Sequence, residues 1–190
     1  MTLILRITYF LFLIIGSLGV SYAAYTTADA QAYQALEKSR FENVNVSRSE
    51  EPRHVVQNDV IGEIEVSRLG LKAIVVQGDS SKILRRAVGH IAETALPGKL
   101  GNVVLAGHRD TFFRPLRNIR LGDAIILKTL DGDFHYQVES TAVVPPNGIQ
   151  VLQPSSERTL TLITCFPFYY LGSAPNRFIV RARQVERSSE

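Results

Sequence analysis

The chain has 190 residues, of which 45% are hydrophobic and 21% are charged. That length and balance provide for one globular core of ordinary domain size with some appended segments. The net charge of +3 is mild, and the lysines and arginines neither form a dense block nor alternate with aromatic residues. Nucleic-acid grooves need such a pattern, so the composition argues against nucleic acid as a partner.

The amino-terminal segment, residues 7–25, carries no charged side chain. At about 1.5 Å per helical residue it is long enough to cross a bilayer core of about 30 Å. Arg6 precedes it, which favours a cytoplasmic start and an exported remainder. A cleaved signal peptide is the alternative, because residues 21–23 loosely fit the small-x-small cleavage pattern. Under either interpretation of residues 1–25, the rest of the protein lies outside the cytoplasm.

The next segment, residues 26–58, is polar and charged. Its first part, 28–40, is rich in helix formers, whereas 41–58 lacks a sustained hydrophobic period. One interpretation is a stalk, helical and then loose, that holds the following domain away from the membrane. The other is an amino-terminal helix that packs on the domain.

From residue 59 to residue 184, short apolar runs alternate with turn signals, a pattern typical of an all-β sandwich or barrel. A short helix is predicted over 80–88, with Ser80 as its cap. We expect a mostly antiparallel barrel whose closure protects its edges, followed by a polar tail at 185–190. The predicted strands are 61–66, 71–76, 102–106, 124–129, 134–140, 160–164 and 178–183, with hairpin connections at 68–70 and 130–133.

Cys165 is the only cysteine in the chain. In an exported domain a lone cysteine forms no internal disulfide, so it is either a small buried side chain or a reactive thiol. It directly follows the strand 160–164, just as His108 follows the strand 102–106. If these strands are parallel neighbours, both residues reach one rim of the barrel. A loop that contains prolines and a glycine then returns the chain to bring Arg177 to the same rim.

These three side chains suffice for acyl transfer. A cysteine thiolate is a nucleophile, a histidine exchanges protons, and an arginine donates hydrogen bonds to a developing oxyanion. No metal or cofactor is needed. Taken singly, Cys165 fits a core position, His108 a strand end and Arg177 a surface ion pair, but their expected convergence favours catalysis.

Other polar residues have simpler interpretations. His90 is expected in a loop, as a structural histidine that could also approach the site. Asp110 either orients His108 or caps the following turn. Glu63 and Glu65 share one strand face, which predicts an exposed acidic face, with calcium binding as the alternative. His54 and His135 are expected to be solvated, and the four histidines are too scattered to predict a zinc site.

Three sequence motifs carry a family resemblance. The run LAGHRDTFFRPL at 105–116, the run TLITC at 161–165 and the later Arg177 closely resemble the sortase family of cysteine transpeptidases, most of all its class D members. The likeness covers roughly residues 59–184. It implies an eight-stranded sortase barrel with one or two short helices. It also implies that Cys165 is the nucleophile, His108 the general acid and base, and Arg177 the substrate or oxyanion ligand.

The resemblance further implies a reaction. The thiolate attacks the threonine carbonyl of an LPxTG-like sorting signal and forms a thioacyl enzyme, which an amine resolves. The implied substrates are exported proteins with a carboxyl-terminal sorting signal, and the acceptor is a cell-wall precursor or a protein lysine. The implied location is the cell membrane, crossed once, with the catalytic domain outside the cytoplasm. Calcium stimulation is left open.

Two other functions fit the same residues. A Cys/His cell-wall peptidase would use the same pair with water as acceptor. A noncatalytic, membrane-tethered β-barrel would bind a peptide or glycan in the same groove. One departure from the family pattern lies at Phe166, where a tyrosine is common, and it is expected to alter packing and leave the chemistry intact.

Overall fold

The computed structural model describes residues 2–46, 55–170 and 172–186. These residues form a long helix followed by eight strands, with a short second helix and three 3₁₀ turns between strands. The helices are α1 (Thr2–Val46) and α2 (Ser81–Leu84). The strands are β1 (Val60–Val66), β2 (Leu71–Gln77), β3 (Val88–His90), β4 (Gly101–Ala106), β5 (Ala124–Thr129), β6 (Gly132–Val144), β7 (Arg158–Phe166) and β8 (Asn176–Val185).

Helix α1 is continuous over 45 residues. The first proline of the chain is Pro52, so no proline interrupts the backbone hydrogen bonds of this helix. Its apolar part is exposed, and a segment beginning at Leu5 is long and apolar enough to cross a membrane. The helix also includes residues 41–46, where the sequence predicted a loose segment. The remainder of that segment up to residue 54, including His54, lies outside the described residues.

The second half of α1 packs on the barrel. The Gln34 side chain donates to the Arg86 carbonyl at 2.7 Å and accepts from the backbone N–H of Ile74 at 2.8 Å. Arg86 in turn donates to the Asp29 carboxylate at 2.6 and 3.0 Å. Phe41 is only 7% exposed. Of the two interpretations of this segment, the contacts favour a helix packed on the barrel over a free stalk.

The eight strands close into a barrel in the order β1-β2-β3-β4-β7-β8-β6-β5. The pairings of β2 with β3 and of β4 with β7 are parallel, and the others are antiparallel. In the described residues each strand therefore has a paired neighbour on both sides, as closure of a barrel requires. The all-β, mostly antiparallel barrel predicted from the sequence is therefore confirmed.

The core fills the barrel with side chains that alternate along each strand. Burial of each such aliphatic side chain contributes about 1.5–3 kcal/mol to the free energy of folding. The period of two sends the neighbouring side chains outward. Core side chains with no more than 1% exposure include Ile64, Val66, Leu105, Leu127, Leu160, Leu162 and Val180.

The segment after β2 differs from the prediction of a helix over 80–88. Ser80 does cap α2, since its hydroxyl accepts from the Ile83 N–H at 3.4 Å, but the helix ends at Leu84. The chain then forms β3, which pairs in parallel with β2. Gly89 permits this pairing, because a Cβ there would lie 2.4 Å from the Gly78 carbonyl oxygen. Tertiary pairing thus overrides the local helix signal.

Glu63 does not lie on an exposed acidic face, and that prediction was wrong. Glu63 is only 4% exposed. Its carboxylate forms ion pairs with Lys72 at 2.9 Å and with Lys38 of α1 at 3.9 Å. Glu65 accepts hydrogen bonds from Lys128 at 2.8 Å and from Ser67 at 2.8 Å. Lysines therefore neutralise both carboxylates.

The hydrogen bonds from Lys128 and Ser67 lower the pKa of Glu65 from 4.5 to about 2. A depressed pKa in the folded state stabilises the fold above the unfolded-state pKa, and this stabilisation disappears as pH falls through the folded-state pKa. We expect Glu65→Gln to make the loss of stability between about pH 5 and about pH 2 shallower, as measured by denaturant unfolding at several pH values. The control is Glu93→Gln, at an exposed carboxylate in no ion pair within the described residues; equal slopes for the two variants would contradict the assignment.

Candidate active site

Cys165 lies inside a strand rather than just beyond one. It is the penultimate residue of β7, which extends to Phe166 because its pairing with β8 continues to that residue. Leu160 and Leu162 of the same strand point into the core. By the period of two, Cys165 therefore points to the outer face of the barrel. The thiol is half-buried and free, so it is not enclosed in the core.

Arg177 lies directly across from Cys165 in the antiparallel pair of β7 and β8. Opposed residues of such a pair project from the same face, with Cβ atoms about 4.5–5.5 Å apart. The Arg177 guanidinium donates to the carbonyls of Ala174 at 3.3 Å and Asn176 at 3.0 Å. Its position is therefore fixed in part by the loop that joins the two strands.

His108 follows β4, the parallel neighbour of β7 on its other side. The backbone N–H of Gly107 donates to the Ile163 carbonyl at 3.1 Å, and the Thr164 hydroxyl donates to the Gly107 carbonyl at 2.7 Å. The chain thus leaves the sheet at His108 beside the residues that precede Cys165. The condition on which the shared rim depended, that the two strands are parallel neighbours, is met.

The His108 segment forms a tight turn. The His108 carbonyl accepts from the backbone N–H groups of Thr111 at 3.4 Å and Phe113 at 3.1 Å, and the side chain of His108 is exposed. Within the described residues neither the imidazole nor the Cys165 thiol has a hydrogen-bond partner. Both groups are available to a ligand, and catalytic hydrogen bonds that are long in a free enzyme commonly tighten when substrate binds.

The glycine before His108 is required by packing. A Cβ at Gly107 would lie 2.8–3.1 Å from the ring of Phe113. That ring is fully buried and belongs to the barrel core. A side chain at position 107 would therefore displace the ring or move the backbone that carries His108.

Arg109 is a residue that the sequence analysis missed. Its guanidinium donates to the carbonyls of Pro167, Tyr170 and Gly172, at 3.0, 2.6 and 3.2 Å. Asp110, expected to orient His108 or to cap a turn, has a side chain that is 73% exposed and lies 3.5 Å from the Arg109 Nε. No pattern in a single sequence distinguishes a buried arginine that binds carbonyls from an exposed one.

Two further histidines are not part of this site. His90 is fully buried at the end of β3 rather than in a loop, with Nδ1 2.8 Å from the Gln77 side-chain oxygen and Nε2 2.9 Å from the Ala95 carbonyl. Burial lowers its pKa, and the structural interpretation is confirmed. His135 is half-buried on β6, and its buried Nε2 has no hydrogen-bond partner among the described residues, which corrects the expectation of a solvated ring.

A cleft of about 970 Å³ separates α1 from the barrel near His108. Tyr22 and Tyr25 line it on the helix side, and His108, Phe112 and Pro115 line it on the barrel side. Cys165 and Arg177 are outside it. Of the three predicted catalytic residues, His108 alone lines this cleft. Within residues 2–46, 55–170 and 172–186, no three His, Cys, Asp or Glu side chains group together as metal ligands.

Comparison with known proteins gives a consistent result. The sequence matches the sortase domain family over residues 64–185. It is 33% identical over 125 residues to Sortase D of Bacillus subtilis, covering 65% of this chain and 63% of that protein. It is 33% identical over 189 residues to Sortase SrtE1 of Streptomyces coelicolor, covering 88% of this chain and 52% of that protein. The chain thus spans less than two thirds of the length of these relatives.

Solved structures agree with the sequence comparison. The Sortase D5 transpeptidase of Clostridium perfringens superimposes with a TM-score of 0.68 at 27% identity, covering 83% of this chain and 99% of that one. SrtA sortase of Actinomyces oris superimposes with a TM-score of 0.63 at 27% identity, covering 73% and 88% of the two chains.

The hydrogen bond from the Thr164 hydroxyl to the Gly107 carbonyl is expected to stabilise the fold. Thr164→Val keeps the side-chain shape but leaves a buried carbonyl without its donor, so we expect the free energy of unfolding to fall by about 1–3 kcal/mol. Denaturant unfolding measures this loss. The control is Thr141→Val on the exposed face of β6. A Thr164→Val variant as stable as Thr141→Val would show that the bond contributes nothing to the fold.

Proposed function

This chain belongs to the sortase family, whose members are cysteine transpeptidases, and from that premise we propose that its barrel transfers a peptide acyl group from a sorting signal to an amine. The observation that carries the proposal is the placement of three groups by three strands. Cys165 and Arg177 are opposed across β7 and β8, and His108 leaves the end of β4 on the other side of β7.

In the first half of the reaction, the Cys165 thiolate attacks the carbonyl carbon of the scissile peptide bond. A bond forms between sulfur and carbon, and the carbonyl oxygen becomes an oxyanion that the Arg177 guanidinium stabilises by donating hydrogen bonds. The C–N bond then breaks, and protonated His108 gives its proton to the departing nitrogen. The products are a thioester on Cys165 and a free amine.

In the second half, the acceptor amine attacks the thioester. Neutral His108 takes a proton from the attacking nitrogen, the C–S bond breaks, and the sulfur leaves as thiolate. The net result is exchange of one amide bond for another, so the step needs no metal and no redox partner. The cleft beside α1 supports this role for His108, since His108 lines it and an acceptor bound there would lie near the imidazole.

The donor substrate is an exported protein with an LPxTG-like carboxyl-terminal sorting signal, cleaved after its threonine. The acceptor is the amine of a cell-wall precursor or of a protein lysine. The exposed apolar part of α1 supports a single membrane crossing near the amino terminus, with the barrel outside the cytoplasm. An enzyme anchored in this way meets exported substrates at the surface where they emerge.

The first test uses a quenched LPxTG-like peptide, with and without an added small amine. Cys165→Ala removes the nucleophile, so we expect cleavage to fall by on the order of 10³-fold or more. Mass spectrometry of the wild-type reaction should show an acyl adduct on Cys165 and, with amine present, a new amide product. Undiminished cleavage by Cys165→Ala would refute the proposal.

The same reaction separates the two alternative functions. A peptidase would give only the hydrolysed acid, whether or not amine is present. A binding protein would give no product, and its thiol would react slowly with alkylating reagents at neutral pH.

The role of Arg177 is tested by a substitution that keeps its charge. Arg177→Lys replaces the planar fork with a single ammonium group, and loss of a well-placed oxyanion donor costs on the order of 10²-fold in kcat. The matched control is Arg181→Lys, an exposed arginine on the same face of β8. If steady-state kinetics show equal kcat values for the two variants, Arg177 has no part in the chemistry.

A further inference from the structure

We propose that Arg109 is a positioning residue, which fastens the described part of the β7–β8 loop (residues 167–170 and 172–175) to the segment that carries His108. The inference rests on the proposed function, since it concerns how the three reacting groups are held relative to one another. Arg109 itself does not touch the reacting atoms. It acts through the loop whose two ends lead directly to Cys165 and Arg177.

The contacts of Arg109 are made to the loop backbone. Its guanidinium donates to three carbonyls, those of Pro167, Tyr170 and Gly172. These acceptors span six positions of the loop, so a single planar group connects the start of the loop to a point beyond its middle. Arg109 is 7% exposed. Its removal would leave carbonyl groups in a partly buried environment without donors, which is costly.

A charged group buried to this degree is retained only where it is well paired. In the described part of the chain, the carboxylate paired with Arg109 is that of Asp110, which is itself exposed, so most of the compensation comes from the loop carbonyls. The guanidinium carbon also lies 5.8 Å from the centre of the Tyr170 ring, within the range of a cation–π contact. Hydrogen bonds from the planar guanidinium to the loop carbonyls, rather than a salt bridge, therefore hold Arg109 in place.

The position of Arg109 in the sequence links the loop to the proposed catalytic histidine. It directly follows His108, so the backbone that sets the position of the imidazole also carries the guanidinium. The loop, in turn, holds Arg177 through the carbonyl of Ala174. Movement of the loop away from Arg109 would therefore shift Arg177 and the end of β7 relative to His108. A misplacement of about 1 Å between reacting groups can cost on the order of 100-fold in rate.

A second arginine supplies an internal comparison. Arg117 lies in the 3₁₀ turn at Arg114–Asn118, and its guanidinium carbon is 5.5 Å from the ring centre of Tyr169 in the same loop. Tyr169 is 75% exposed, and Arg117 donates to no carbonyl among the described residues of the loop. Exposed cation–π contacts contribute only about 0.5–1 kcal/mol. Arg117 thus contacts the same loop without fastening its backbone.

The experiment compares Arg109→Lys with Arg117→Lys in the full-length chain in detergent. Lysine keeps the positive charge but lacks the fork that reaches several carbonyls at once. For Arg109→Lys we expect kcat of amine-dependent transfer to fall at least tenfold with a smaller change in KM, whereas Arg117→Lys stays within twofold of the wild type. Thermal unfolding of each variant establishes that activity is compared on folded protein.

Limited chymotrypsin digestion provides a readout that does not depend on activity. Tyr169 and Tyr170 are exposed cleavage sites in the loop, and a protease cleaves such a site faster when the backbone around it opens more often. Mass spectrometry should show faster cleavage at these tyrosines, by at least tenfold, in Arg109→Lys than in the wild type or in Arg117→Lys.

Each outcome decides one question. A kcat for Arg109→Lys within twofold of the wild type overturns the positioning role and leaves the proposed function intact. An activity loss that only follows loss of folded protein also overturns the positioning role. Equal loop cleavage in Arg109→Lys and wild type overturns the fastening of the loop. If the wild type transfers no acyl group, the proposed function is wrong, and the digestion still determines whether Arg109 fastens the loop.

Discussion

The parallel pairing of β4 with β7 is the constraint on which the site depends. Parallel neighbours end at the same edge of a sheet, so the chain segments that follow them emerge side by side. The hydrogen bonds between Gly107 and residues 163 and 164 continue that pairing past the last residue of β4. An antiparallel arrangement would send His108 and Cys165 to opposite ends of the barrel. The chain segments that carry the Cys165 thiol and the His108 imidazole are neighbours because of this backbone pairing.

Two kinds of contact fix the rest of the site: the backbone pairing of β7 with β8, and side-chain contacts to the loop between them. The β7–β8 hairpin sets Arg177 opposite Cys165 through backbone register alone, which any sequence with this pairing would share. The loop between them lacks such register, and side chains hold it instead. Phe168 and Phe178 pack edge to face with ring centres 5.3 Å apart on the core side, and Arg109 binds the loop carbonyls. The loop is thus held both by apolar packing of Phe168 and by hydrogen bonds from the buried Arg109.

Much of this arrangement could be predicted from the sequence, and the exceptions have physical causes. The sequence pattern predicts the strands of five or more residues that have turn signals between them. The strand β3 has only three residues and follows a good helix cap, so the local sequence does not predict its pairing with β2. Glu63 looks exposed from its charge, yet lysines on β2 and α1 come to it only in the folded chain. The burial of Arg109 likewise depends on carbonyls about 60 positions away. Local patterns report periodicity and turns, whereas these three features arise from long-range contacts.

The length of α1 has a consequence for where the barrel can operate. Its 45 residues extend roughly 68 Å at about 1.5 Å each, whereas a bilayer core is about 30 Å thick. A helix that crossed such a core with its apolar half would leave about half of its length outside the lipid, and the barrel contacts that outer half through Gln34 and Phe41. Because the same contacts hold the helix against the barrel, the helix would then set the distance between the barrel and the lipid.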